Sequence, residues 1–148
     1  MAITLPDEYG YVLAVATSTF FINTLHAVLT SNRRRSSGIK YPVAYATNEV
    51  AEKDPKAYAF NCAQRAHANF TENLTPFLGA MLVSGLRYPI YAAGVGAAWS
   101  AARVMYALGY TSSKGPQGRT LWSAIGFLCD FAVKGMALRA SAGWVLGW

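Results

Sequence analysis

The stretch Gln64–Leu78, QRAHANFTENLTPFL, sets an arginine, a histidine and a glutamate at the head of a run that then turns apolar. Wound as an α-helix, it brings Arg65, Asn69 and Glu72 onto one face at i, i+4 and i+7. His67 projects to the other side, and Pro76 falls further along the polar face. In a water-soluble helix such a stripe simply faces solvent. In a membrane helix it must face protein or a polar cavity, because ionisable groups at that depth are costly.

Composition decides between these two solvents. The chain has 148 residues, which suits one domain spanning 1–148. It is 53% hydrophobic and 14% charged, against about 25% charged in an average soluble domain. Thirteen Lys and Arg face seven Asp and Glu, for a net charge of +6. With this apolar content the basic balance reads as membrane-protein loops and argues against a nucleic-acid partner. The opening MAITLPDEYG carries Asp7 and Glu8 but no Lys or Arg, so it lacks the positive start of a signal peptide. The first apolar run is therefore expected to stay in the mature protein. Cys62 and Cys129 sit in apolar surroundings without metal-type spacing, and both read as reduced packing residues.

A bilayer-crossing helix needs about 20 mostly apolar residues. Four segments meet that length: 9–30, 60–86, 89–110 and 121–145. The expectation is an all-α membrane protein whose protomer is a four-transmembrane-helix bundle. The first and third segments are apolar nearly all round, which a soluble amphipathic bundle would not require. The loops between the first and second spans and between the third and fourth hold Arg33, Arg34, Arg35, Lys40, Lys53, Lys56, Lys114 and Arg119. The N-terminal segment holds no cation and the second loop only Arg87. By the positive-inside rule both cationic loops face the cytoplasm and both termini the opposite side. Arg33–Arg35 reads as a topology anchor at the lipid headgroups. Gly94, Ala98 and Ala102 recur every fourth residue in the third span and predict a face that packs on other helices. In the fourth span, Asp130 and Lys134 are i, i+4 partners and read as a neutralising pair.

The polar stripe of the second span admits two readings. One is an internal clamp, with Arg65 paired to Glu72 and Asn69 as a hydrogen-bonding partner. The other is a polar ligand site. A second column favours the latter: Arg103, Tyr106 and Tyr110 lie at i, i+3 and i+7 and run to the same end of the bundle. Arg119 stands where the fourth span begins. Arginine forks match carboxylates and tyrosines supply hydroxyl donors, so the expected pocket suits a small anionic, amide-bearing molecule.

These residues resemble a known family. RAHANFTENLTPFL is similar to the Arg-Ala-His-x-Asn-x-x-Glu signature of the MAPEG superfamily, the membrane-associated proteins of eicosanoid and glutathione metabolism. RVMYALGY in the third span resembles its companion motif, and EYGYVL, KYPVAYA, FNCAQRAHAN and a Gly-Trp near the C-terminus extend the likeness over essentially the whole chain. The resemblance implies a homotrimer in the endoplasmic reticulum membrane. Glutathione, the co-substrate, would lie between subunits near the cytoplasmic face, and a lipophilic electrophile or lipid hydroperoxide would reach it from the membrane lipids. Arg65, Asn69, Glu72, Arg103, Tyr106 and Tyr110 match glutathione-site positions, and His67 matches one that contributes from the adjacent subunit. Arg119 matches the arginine that activates the thiol, and one of Arg33, Arg34 and Arg35 a further cation. The leukotriene C synthase branch has a tyrosine directly after the glutamate, where this chain has Asn73. A non-enzymatic lipid-binding scaffold of the same superfamily is the competing function. A transporter subunit is disfavoured, since no inverted repeat is present.

Overall fold

The computed structural model describes residues 4–147. It contains α1 (Tyr9–Ser37), α2 (Asn48–Lys53), α3 (Pro55–Gly85), α4 (Pro89–Tyr110) and α5 (Thr120–Leu146). A 3-10 turn, Gly115–Arg119, leads into α5, and no strand occurs among the described residues. One Gly-Trp pair, at Gly147–Trp148, ends outside them. Local chemistry sets the helix ends. Pro55 and Pro89 begin α3 and α4, where a missing N–H costs nothing. The Asp54 carboxylate accepts from the Lys56 N–H at 2.8 Å and caps α3. Gly38, at φ 70°, closes α1 and donates its N–H to the Arg34 carbonyl.

The helices outrun the apolar segments. α1 continues to Ser37, past the expected boundary at Thr30, and α3 begins at Pro55 instead of Phe60. Hydrophobicity marks where a helix leaves the bilayer, whereas backbone punctuation marks where it stops. Nothing in SNRRRSS breaks a helix before Gly38. The long first loop also contains α2, capped by Thr47, which an apolar-span reading passes over.

Two helices organise the bundle. α3 and α4 pack on each other, and each also packs on both α1 and α5, while α1 and α5 do not meet. The central contact is aromatic. Phe77 and Trp99 stack at 3.8 Å between ring centroids, Phe70 lies 5.9 Å from Trp99, and His26 of α1 stacks on Phe70 at 4.6 Å. All four side chains are buried. The Thr30 hydroxyl donates to the Ala63 carbonyl at 3.2 Å at one end of the α1–α3 seam. The Tyr9 hydroxyl donates to the Leu82 carbonyl at 3.1 Å at the other. The outer faces of α1 and α5 are apolar and uncovered: Phe21 is 72% exposed, Phe131 71% and Leu138 73%. Such faces would be a liability in water and are ordinary in lipid. By length and composition, Tyr9–Ser37 and Gly115–Leu146 are apolar enough to cross a membrane.

Two expectations are refined. Within the protomer Gly94 and Ala98 are exposed and only Ala102 is buried, so the every-fourth row is not one packing face of this bundle. Four residues advance the helix by slightly more than a full turn, and the row spirals away from the bundle. Against the core α4 presents Ala92, Ala93 and Gly96 instead. Arg33–Arg35 is also more than a headgroup anchor. Arg34 turns inward, donating to the Val43 carbonyl at 2.7 Å. Its guanidinium lies between the rings of Tyr41 and Phe60, at 4.3 and 4.4 Å. Arg33 donates to the Thr111 carbonyl at 2.8 Å, while Arg35 remains exposed. The anticipated pair in α5 is present, with Lys134 Nζ 2.6 Å from Asp130 Oδ2, and both cysteines are free thiols.

Replacing Trp99 by Ala removes the stacked centre and is expected to cost about 3–5 kcal/mol, read as a lowered unfolding midpoint of the purified protein in detergent. Arg34→Met should leave the helices intact but release the loop it holds. Limited trypsin digestion should then cleave after Lys40 faster than in the wild type; equal rates would show that Arg34 does not hold the loop.

Candidate functional site

The two polar columns meet through one hydrogen bond. Arg103, on α4, is 5% exposed and donates from Nη2 to Asn69 Oδ1 on α3 at 2.7 Å. Charge-assisted bonds of this length are the stronger kind. The guanidinium also lies over the rings of Tyr106 at 4.8 Å and Trp99 at 5.4 Å. A buried cation thus has aromatic faces and one amide as its neighbours, with the Asp130 carboxylate within electrostatic range, and its Nε–H has no partner. Tyr106 is buried, and its ring meets that of Tyr110 edge-on at 5.7 Å.

Arg119 arrives from another element. It ends the 3-10 turn and stands at the N-terminus of α5. Its guanidinium lies 5.1 Å from the Tyr110 ring centroid and 5.6 Å from that of Tyr106. Its buried Nε also lacks a partner. Cations and tyrosines therefore alternate along the end of α4, in the order Arg103, Tyr106, Arg119, Tyr110. The N-terminus of α5 adds its positive dipole end beside Arg119.

Arg65 and Glu72 form an ion pair, with Nη1 to Oε1 at 2.9 Å and Nη2 to Oε2 at 3.3 Å. The pair and the Asn69 hydrogen bond anticipated for a clamp are both present, but only the Asn69 bond to Arg103 joins two helices. Arg65 and Glu72 both belong to α3, so their pair joins no two helices. Their side chains are 48% and 54% exposed, so the pair is not buried by the protomer. An exposed pair contributes about 0–1 kcal/mol, which makes it easy to open. Tyr106 lies within electrostatic range of Arg119, Arg103 and Arg65 together. His67 stands apart on the α1 side, with Nε2 3.3 Å from Asn23 Oδ1.

A cavity of about 190 Å³ adjoins the Arg103–Asn69 bond. It is lined by Asn69, Asn73, Arg103, Ser123, Phe127 and Asp130, among others. It runs along α5 away from Arg119, with Asp130 Oδ1 unpartnered in its wall. The arrangement can bind anionic groups at several cations and orient them with tyrosine hydroxyls. Sequence reasoning brought together Arg65, Asn69, Glu72, Arg103, Tyr106, Tyr110 and Arg119. It missed Asn23, whose only signal is its polarity within an apolar span. It also left unsorted the three arginines of α1, whose separate directions follow from about 100° of rotation per residue.

A model of the MAPEG family matches residues 12–139, most of the chain. Members of that family are membrane proteins of glutathione and eicosanoid chemistry, some of them enzymes and some not, and four long helices with lipid-compatible outer faces accord with it. On that match and on its two membrane-length apolar helices, the chain is an integral membrane protein and belongs to the MAPEG family.

Proposed function

We infer that the protein is a glutathione-dependent membrane transferase that also reduces lipid hydroperoxides, acting through a glutathione thiolate stabilised by Arg119. The observation that carries this reading is the placement of the Arg119 guanidinium over Tyr110 and Tyr106, with one N–H unpartnered, at the N-terminus of α5. That is a fixed positive potential without a fixed counter-ion. Several motifs of the chain resemble those of microsomal glutathione transferase 3, and glutathione is the thiol that such a site takes.

Glutathione carries two carboxylates, an ammonium and amides. In this reading Arg65 and Glu72 separate, the arginine meeting a carboxylate and the glutamate the ammonium. Their exposed pairing exchanges at little cost. Tyr106 and Tyr110 hold the peptide amides, and Arg103 holds Asn69 in register. The half-exposed Arg65 and Glu72 side chains on α3 support a site shared between subunits of a homotrimer. The basic end of the bundle supports a cytoplasm-facing site, as in the endoplasmic reticulum membrane.

A free thiol of pKa about 8.5 is only a few per cent ionised at neutral pH. A guanidinium beside the sulfur favours the anion, and each unit of lowering is about 1.4 kcal/mol. The proton leaves to water. Attack on an electrophilic carbon then forms a carbon–sulfur bond and expels the leaving group with its electron pair. Attack on a hydroperoxide instead breaks the O–O bond: the thiolate, the hydroperoxide and one proton give a sulfenic acid and an alcohol. A second glutathione then yields the disulfide and water. In this reading the lipophilic partner reaches the sulfur from the membrane lipids, past the exposed apolar face of α5 that carries Phe127 and Phe131.

Arg119→Ala should lose turnover by about 100-fold, the scale of one preorganised electrostatic group, while glutathione titration shows nearly unchanged affinity. Unchanged turnover would remove Arg119 from the reaction. Arg65→Ala should weaken glutathione binding, read by calorimetry on the purified protein, and equal affinity would leave the α3 stripe without a ligand role. Glutathione conjugation and hydroperoxide reduction, assayed side by side, test the function itself. Absence of both, with no glutathione binding, would favour the non-enzymatic lipid-binding scaffold.

A further inference from the structure

The turn that carries Arg119 is seated on α4 by bare backbone. Gly118 precedes Arg119 and Gly109 precedes Tyr110. The two glycines lie so close that a Cβ on either would overlap the carbonyl of the other. Neither has positive φ; among the described glycines only Gly38, Gly115 and Gly147 do. Conformational freedom therefore does not explain glycine at 109 and 118, whereas close approach does. The same loop is tied at its other end, where Arg33 donates to the Thr111 carbonyl at 2.8 Å. The Ser112 hydroxyl donates to the Gly109 carbonyl at 2.6 Å, so that carbonyl cannot swing away freely.

We propose that Gly109 and Gly118 are positioning residues for the reaction above: their backbone contact sets the height of the Arg119 guanidinium over Tyr110, and with it the field at the glutathione sulfur. The proposal rests on the reading of Arg119 as the thiol-stabilising cation. Each glycine is the chain neighbour of one of the two groups that must stay together. A methyl group on either side forces the backbones apart by roughly 1 Å, a misplacement that costs an enzyme up to about 100-fold. The Arg65, Asn69 and Glu72 stripe lies on α3, outside the contact between the two glycines.

The test uses purified protein in detergent, with glutathione and chlorodinitrobenzene as substrates. The variants are Gly109→Ala, Gly118→Ala, Arg119→Ala and the double variant Gly118→Ala/Arg119→Ala. Gly135→Ala serves as control, because a Cβ there meets nothing within 4 Å. Gly109→Ala and Gly118→Ala should each lower kcat by about 10- to 100-fold, and Gly118→Ala, whose chain neighbour is Arg119 and not a binding tyrosine, should change KM for glutathione by less than about twofold. Their pH–rate profiles should shift to higher pH, because a displaced cation no longer favours the thiolate. Gly135→Ala should match the wild type. The double variant should be no worse than Arg119→Ala alone, since a residue that acts through Arg119 has nothing left to act on.

Wild-type kcat and pH profile in both single glycine variants would overturn the proposal. So would a double variant whose two losses multiply, and so would parallel loss of glutathione affinity in both glycine variants, which would make the contact merely structural. Wild-type turnover in Arg119→Ala overturns the underlying reading as well. A defective Arg119→Ala beside normal glycine variants removes the proposal alone.

Discussion

The hydrogen bond from Arg103 to Asn69 is the constraint on which the rest of the molecule turns. It places a full positive charge inside a helical bundle, met by one amide oxygen and the faces of aromatic rings, with the Asp130 carboxylate within electrostatic range. A cation there is tolerated only if those neighbours hold still. The stack of Trp99, Phe77, Phe70 and His26 beneath it is therefore both core and scaffold. It orders α3 and α4 against each other, and these two helices carry all the residues of the two columns. Arg119 alone comes from elsewhere, and it is added to the site by the short turn between α4 and α5.

Much of this was legible in the sequence because helical spacing is a geometric statement. Arg65, Asn69 and Glu72, and likewise Arg103, Tyr106 and Tyr110, were sortable into faces without coordinates. The membrane setting followed from apolar runs of bilayer length. What hydropathy could not give was where helices end, because residues 31–37 are polar yet helical and α3 starts at Pro55, ahead of the apolar run. Nor could spacing say whether an Arg–Glu pair on one helix is buried; Arg65 and Glu72 satisfy the same arithmetic whether covered or open.

The glycines show a different limit. Gly109 and Gly118 look like ordinary punctuation around the loop TSSKGPQGRT. Their close approach is a contact between elements, and no local rule predicts which two glycines will meet. Gly94 differs in the opposite direction: it sits in a small-residue pattern yet faces away from its own bundle. Local spacing thus ranks side chains by face reliably, and ranks them by partner only when a second column constrains the geometry.

The three arginines at the end of α1 serve at two moments in the life of the chain. While the polypeptide is being inserted, they are equivalent: each is a cation in a loop, and their sum helps fix which side of the membrane that loop stays on. Once the helix winds, successive residues point about 100° apart, and the equivalence ends. Arg33 takes the Thr111 carbonyl, Arg34 turns beneath Tyr41, and Arg35 stays outside. A charge-conserving exchange to lysine would therefore pass unnoticed by the insertion machinery and still be felt in the folded protein, where Arg34 needs a flat guanidinium to fit between two rings.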